Sequence, residues 1–251
     1  MVTRARPFGD RGLAIVRSYA NAVALTIEGP NEGDCKWSLI AAEDRRQFDL
    51  QASLTEWLAA HRDETVQLWL REVDEQAHAI AVALGFEPYR DLWQLRCDLP
   101  NSPSGLDTRP FSESDIDTFV AVNNRAFHWH PEQSGLTAAA VRRSMSEPWF
   151  NADGFRLLHN DEGRLMGFCW TKIHRDTDPN LGEIYVIAVD PDFHGQGLGK
   201  PMTLAGLEWL AAQGLTDGML YVESDNHAAN ATYAAIGFSR HHTDRAYRLT
   251  S

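Results

Sequence analysis

Glycines at 195, 197 and 199 follow an apolar, β-branched run, Glu183-Ile184-Tyr185-Val186-Ile187-Ala188-Val189, and precede an amphipathic stretch. A strand therefore feeds a glycine loop that opens a helix. Without a Cβ at those positions, successive backbone N–H groups can approach a ligand, and the helix N-terminus adds partial positive charge. This chemistry suits a phosphate or pyrophosphate; the competing reading is a tight turn that binds nothing. A P-loop is excluded because no Gly-Lys-Ser/Thr follows. A dinucleotide fold is disfavoured because the glycines come late in their module and no ribose-binding acid is evident. His128-Trp129-His130 has the spacing of some metal ligands, but no clear third ligand accompanies it, and no metal is expected.

Hydrophobic periodicity supplies the elements that would position this loop. It predicts helices at Glu113 to Phe127 and Thr137 to Met145, then strands at Phe155 to Asn160, Leu165 to His174 and Glu183 to Val189. A helix from Gly197 to Gln213, a strand at Met219 to Glu223, a helix at Asn226 to Ile236 and terminal strands near Phe238 and Tyr247 complete the module.

Part of this pattern also occurs 152 residues earlier. Trp57-Leu58-Ala59-Ala60 matches Trp209-Leu210-Ala211-Ala212, and Leu84-Gly85-Phe86 matches Ile236-Gly237-Phe238. Leu68-Trp69-Leu70 falls on Leu220-Tyr221-Val222, and Ala77 to Ala83 falls on Ala229 to Ala235. The first copy has room only for strands near Leu13 to Val16, Ala22 to Ile27 and Trp37 to Ala41 before a helix from Leu50 to His61. It is thus a shortened copy, residues 1–99, joined through the Pro/Ser/Gly-rich linker 100–105 to a full module, residues 106–251. Projected through the offset, Glu183 becomes Asn31, the three glycines become Glu43, Arg45 and Gln47, and Tyr233 becomes Ala81. The first copy is expected to bind no phosphate.

From Leu165 to Leu249 the chain resembles the GCN5-related N-acetyltransferases, the GNAT family. Gly197 and Gly199 match the last two positions of that family's acetyl-CoA signature, Gln/Arg-x-x-Gly-x-Gly/Ala, and His194 stands where Gln or Arg is usual. Asn226-His227-Ala228-Ala229-Asn230-Ala231-Thr232-Tyr233 is similar to the family's closing helix, in which an Asn meets the cofactor and a Tyr sits near the thioester. Four segments narrow the resemblance to the mycothiol synthase branch, whose two-module members acetylate the cysteinyl amine of cysteinyl-glucosaminyl-inositol. They are His130-Pro131-Glu132-Gln133, Trp170-Thr171-Lys172-Ile173-His174, Glu183-Ile184-Tyr185-Val186 and Tyr221-Val222-Glu223-Ser224-Asp225-Asn226. The resemblance implies an α/β (α+β) tandem GNAT fold: a complete C-terminal module with a central mixed sheet flanked by helices, and a truncated, degenerate N-terminal module. It implies acetyl-CoA as co-substrate, lined by Ile187, Ala188 and Val189, by His194, Gly195, Gln196, Gly197, Leu198, Gly199 and Lys200, and by Asn226, His227, Ala228, Ala229, Asn230 and Ala231. Glu132, Lys172, Glu183 and Tyr221 would meet a small-molecule amine substrate, cysteinyl-glucosaminyl-inositol.

Acetyl transfer to an amine needs a neutral nucleophile, a place for an oxyanion and a proton for the departing thiolate. Glu183 is the candidate base, acting directly or through water. Backbone N–H groups of residues 187–189, where the strand would splay from its neighbour, are the candidate oxyanion donors, and Tyr233 is the candidate acid. Each has a plainer alternative: Glu183 as a solvated rim carboxylate, Tyr233 as a core aromatic, Tyr221 as a packing residue like Trp69, and Lys172 and Glu132 as surface charges. The acceptor could also be another small amine or amino sugar. A non-catalytic acetyl-CoA-binding module would need the loop but neither Glu183 nor Tyr233.

Composition bounds the partners. Lys+Arg 23 against Asp+Glu 35 gives a net charge of −12, which disfavours a nucleic-acid partner. The longest apolar stretches, Ala79 to Phe86 and Ile184 to Val189, fall far short of the roughly 20 residues a membrane-spanning helix requires. With no export signal visible and Cys35, Cys97 and Cys169 scattered, a cytoplasmic enzyme without membrane partners is expected; a monomer is expected too, although the sequence itself does not give the oligomeric state.

Overall fold

The computed structural model describes residues 15–16, 25–28, 37–41, 49–61, 65–128 and 135–249. These fall into two compact units, 15–94 with 223–225 and 240–249, and 95–222 with 226–239.

The first unit contains strands β1 (Ile15–Val16), β2 (Leu25–Glu28) and β3 (Trp37–Ala41), helix α1 (Leu50–Ala60), strand β4 (Val66–Leu70), helix α2 (Glu75–Ala83) and most of strand β5 (Glu87–Asp98). Asp49 and Asp74 start the two helices by accepting from the N–H groups of Ala52 at 2.9 Å and Ala77 at 2.7 Å. The apolar faces of α1 and α2 close over β3 and β4 in a core of Leu39, Leu54, Trp57, Leu68, Phe86 and Tyr247. β3 and β4 are parallel.

The second unit begins with residues 95–98 of β5 and continues through β6 (Arg109–Pro110), α3 (Ile116–Ala126), α4 (Ala138–Met145), β7 (Phe155–His159), β8 (Leu165–His174) and β9 (Leu181–Val189). Helix α5 (Gly199–Ala212), β10 (Asp217–Glu223) and α6 (His227–Ala234) follow, and β11 (Ser239–Leu249) leads back to the first unit. The sheet of this unit is mixed: β9 and β10 are parallel, whereas β8–β9, β7–β8 and β6–β7 are antiparallel. One face carries Phe119, Phe155, Phe168 and Trp170 in ring contact, with Phe155 stacked 4.6 Å from Trp170. The other face receives α5 so closely that a Cβ on Gly206 would lie 2.4 Å from the Cys169 sulfur.

Several expected boundaries move for physical reasons. The helix expected from Glu113 opens as a 3-10 turn, Glu113–Asp115, tied by a Ser112/Asp115 capping box. The helix expected from Gly197 starts at Gly199, because Gly197 has a φ of +73° that an α-helix cannot contain. Asn226 is the cap of α6 and lies outside its helical turns. The strands near Phe238 and Tyr247 are one, β11. β5, twelve residues long, was not expected at all.

The expected division at residues 100–105 differs from the observed one. The chain passes between units within β5, and its late segment 240–249 joins the unit of residues 15–94, where β11 pairs antiparallel with β4 from Arg245↔Leu70 to Leu249↔Val66. Asp91 fixes this strand through two bonds from Arg245, 2.6 and 2.7 Å long.

Element spacing follows the sequence match. α2 and α6 start at residues 75 and 227, and α1 and α5 end at residues 60 and 212, each pair 152 apart. The strands before them keep a different offset: Trp37 faces Val66 in β3–β4 as Gly182 faces Gly218 in β9–β10. In these registers Ser38 pairs with Gln67 as Glu183 pairs with Met219; Asn31, Glu43, Arg45 and Gln47 lie outside the described residues.

Candidate functional site

β9 and β10 stay in register only as far as Ile184↔Leu220, although β9 runs on to Val189 and β10 to Glu223. β8 continues to pair with β9 up to Gly167↔Val189. Ile187, Ala188 and Val189, all half-buried, are thus held along the β8 edge while their β10 edge opens. An opened strand edge presents fixed N–H and C=O groups, which suits a thioester carbonyl and amide-bearing cofactor arm.

Asp190 anchors the end of β9. It is 1% exposed, pairs with Arg125, and its N–H donates to the Met166 carbonyl at 2.8 Å. Beyond it, Gly195 and Gly197 take φ values of +79° and +73°, and the space where Cβ atoms would stand at 195, 197 and 199 is open. α5 then begins with no side-chain cap at Leu198. A glycine cradle in front of an uncapped helix N-terminus fits a pyrophosphate group. The His194 ring lies 3.0 Å from the Val189 carbonyl, Gln196 is exposed, and Lys200 Nζ donates to the Ala235 carbonyl at 3.1 Å, joining the start of α5 to the end of α6.

In α6, Asn226 accepts the Ala229 N–H at 3.2 Å; His227, Ala228 and Ala231 are exposed, and Ala229 and Asn230 half-buried. Tyr233, two positions past Ala231, turns inward and is 9% exposed, with its ring 5.8 Å from Phe238. Burial, reinforced by the neighbouring Cys169, pushes its phenol above the ordinary range, so it keeps its proton.

Lys172 stands directly across from Glu183 in the β8–β9 register, and a bulge between Trp170 and Thr171 leaves Tyr185 opposite no residue of β8. Lys172 Nζ lies 4.9 Å from the Trp149 ring centroid and 5.7 Å from that of Tyr185. Burial, with the Glu183 and Glu147 charges adding to it, raises the Tyr185 phenol as well. Glu183 is 8% exposed, and its Oε2 lies 2.7 Å from His174 Nε2. His174 was not among the expected site residues, although its place two residues after Lys172 on one strand put both on the same face. Lys172 and His174 also line a cavity of about 530 Å3 whose walls include Trp149 and Trp209.

The structure thus brings Glu183 and Lys172 together on one face, and joins α5 to α6 at the glycine loop. Tyr221 is half-buried on β10, one residue past the last β9–β10 pair. Glu132 lies outside the described residues, as does His130. Among the described residues no three potential metal ligands gather, and no helix is long and apolar enough to cross a membrane.

Residues 118–238 match the model of the Acetyltransferase (GNAT) family. The mycothiol acetyltransferase of Actinosynnema mirum is 41% identical over 249 residues, covering 95% of this chain and 82% of the relative. That of Saccharomonospora viridis is 38% identical over 253 residues, covering 95% and 81%. Among solved structures, a GCN5-related N-acetyltransferase from Sphaerobacter thermophilus superposes with a TM-score of 0.67 at 18% identity, over 90% of this chain and 76% of its own. A tandem GNAT protein from the clavulanic acid biosynthesis pathway gives 0.62 at 18% identity, over 90% and 78%. At such identities the two structures establish the fold alone. The identity to these two relatives goes further, and the chain belongs to the mycothiol acetyltransferases, acyltransferases of the GNAT family.

Proposed function

We propose that this chain acetylates the cysteinyl amine of cysteinyl-glucosaminyl-inositol to give mycothiol. The observation that carries the reading is the parting of β9 from β10 after Ile184, with the glycine cradle at one end of the opened edge and the buried Glu183 at the other. Residues 187–189, 194–200 and 226–231 would hold acetyl-CoA, which supplies the acetyl group as a thioester. Glu183 takes a proton from the substrate ammonium, directly or through one water, and so frees the nitrogen lone pair. N–H groups on the open edge of residues 187–189 stabilise negative charge as it grows on the carbonyl oxygen. Tyr233, kept protonated by burial, gives its proton to the departing sulfur. Lys172, Tyr221 and Glu132 orient the acceptor.

The shared spacing of α1, α2, α5 and α6 supports reading residues 1–99 as a degenerate GNAT module without a cofactor cradle. The test incubates purified protein with acetyl-CoA and cysteinyl-glucosaminyl-inositol, following coenzyme thiol release and product mass, with glucosaminyl-inositol and free cysteine as control acceptors. Rapid transfer to the complete acceptor alone is expected. Binding of acetyl-CoA without transfer to it would remove mycothiol synthesis and send the search to other amines.

A further inference from the structure

Glu183 is a carboxylate with 10% of its side chain exposed, and a carboxylate so removed from water needs a donor. Lys172, its neighbour across the sheet, has its ammonium group over the rings of Trp149 and Tyr185. The donor is His174, whose Nε2 lies 2.7 Å from Oε2 and whose side chain is itself 13% exposed. An ionised carboxylate only accepts, so the nitrogen facing it carries the hydrogen. The Nε2–H form of the ring is therefore the one that donates to Glu183.

The ring is well placed for this. His174 ends β8, paired with Leu181 of β9, and its carbonyl accepts from Thr177 Oγ1 at 3.2 Å, which fixes the turn that follows. A glutamate has three side-chain torsions and no fixed aim by itself; one strong bond to Oε2 sets the plane of the carboxylate and leaves Oε1 to receive a proton.

We infer that His174 is the positioning residue of the base, aiming the Glu183 carboxylate by donating from Nε2 to Oε2. This rests on the reading of Glu183 as the base. The charged and titratable groups around the pair are Lys172 and Tyr185 on the two strands, Glu147 near Tyr185, and Arg175 and Asp176 at the cavity. None of these changes in the variants below.

The full chain, with acetyl-CoA and cysteinyl-glucosaminyl-inositol, is compared with His174→Ala, His174→Gln, Glu183→Gln and the Glu183→Gln/His174→Ala double variant across pH. His174→Ala is expected to lose about tenfold or more in kcat, part of the 10²–10⁴ a positioned base supplies, with unchanged KM for acetyl-CoA. The pH profile of its rate departs from that of the wild type, because the carboxylate has lost the donor that aims it. His174→Gln, whose side-chain amide can donate in the same direction, restores most of the rate and the wild-type profile. The double variant is no slower than Glu183→Gln. A wild-type profile in His174→Ala, or a further loss in the double variant equal to that of His174→Ala alone, would overturn the inference. Should the wild-type chain transfer nothing to this acceptor, the proposed function fails, and nitrogen NMR of the His174 ring still decides the pairing. Nε2–H is expected in the wild type; the Nδ1–H form in the wild type overturns it.

Discussion

Tyr233 and Asp115 show burial and pairing acting in opposite directions on a proton. The phenol of Tyr233 is raised by desolvation and stays neutral throughout any practical assay, so Tyr233→Phe should lower kcat with little change in acetyl-CoA affinity; unchanged turnover would remove it as the acid. Asp115 accepts from Arg109 and Ser112, which hold its carboxyl well below the usual range. A depressed carboxyl contributes stability above its unfolded-chain value, near about 3.9, and loses it as the pH falls through the folded value. Urea midpoints of the wild type and Asp115→Asn should therefore differ at pH 7 and draw together below about pH 4. At this scale the glycines were legible because only spacing and the lack of a Cβ were needed. His174 was not: alternation placed it beside Lys172, but nothing in the sequence says which residue of another strand it will face.

The contribution of a helix or strand lies in where it stops. The last β9–β10 pair at Ile184 and the start of α5 at Gly199 frame the cradle, and Gly197→Asp attacks both its geometry and its charge. The space at that Cβ is open, but φ of +73° strains any L side chain, and a carboxylate would stand where the proposed function puts a phosphate. Calorimetric titration should show acetyl-CoA binding lost; normal affinity would dismiss the loop as a cofactor site. Gly206→Ala tests the opposite face. Its Cβ would meet the Cys169 sulfur at 2.4 Å and Ile184 at 2.7 Å, so α5 must shift, costing about 1–3 kcal/mol by thermal melting. Elements with strong periodicity, such as β9 and α5, were readable to within two residues. β5 was missed because Glu87-Pro88-Tyr89-Arg90-Asp91 is charged and carries a proline, and its burial comes only toward the end, at Gln94, Leu95 and Cys97.

At the scale of the molecule, chain order and unit membership part company. A sequence repeat predicts a cut between copies, and the 152-residue spacing of the helices follows it, yet the last strand serves the earlier unit. Periodicity reports which face of a strand is buried and is silent on which neighbour pairs with it. Removing residues 240–251 should leave β4 with an open edge. Hydrogen exchange at residues 66–70 would then lose protection while the amides of β8 and β9 keep theirs.

The β4–β11 pairing has a consequence during synthesis. Residues 66–70 leave the ribosome long before residues 245–249, their partners, have been translated. Through that interval the nascent chain carries an unpaired strand edge rich in Leu and Trp, a template for wrong partners in a crowded cell. The early unit is thus completed last, and the wait for its final strand is the interval in which a chaperone would be of most use.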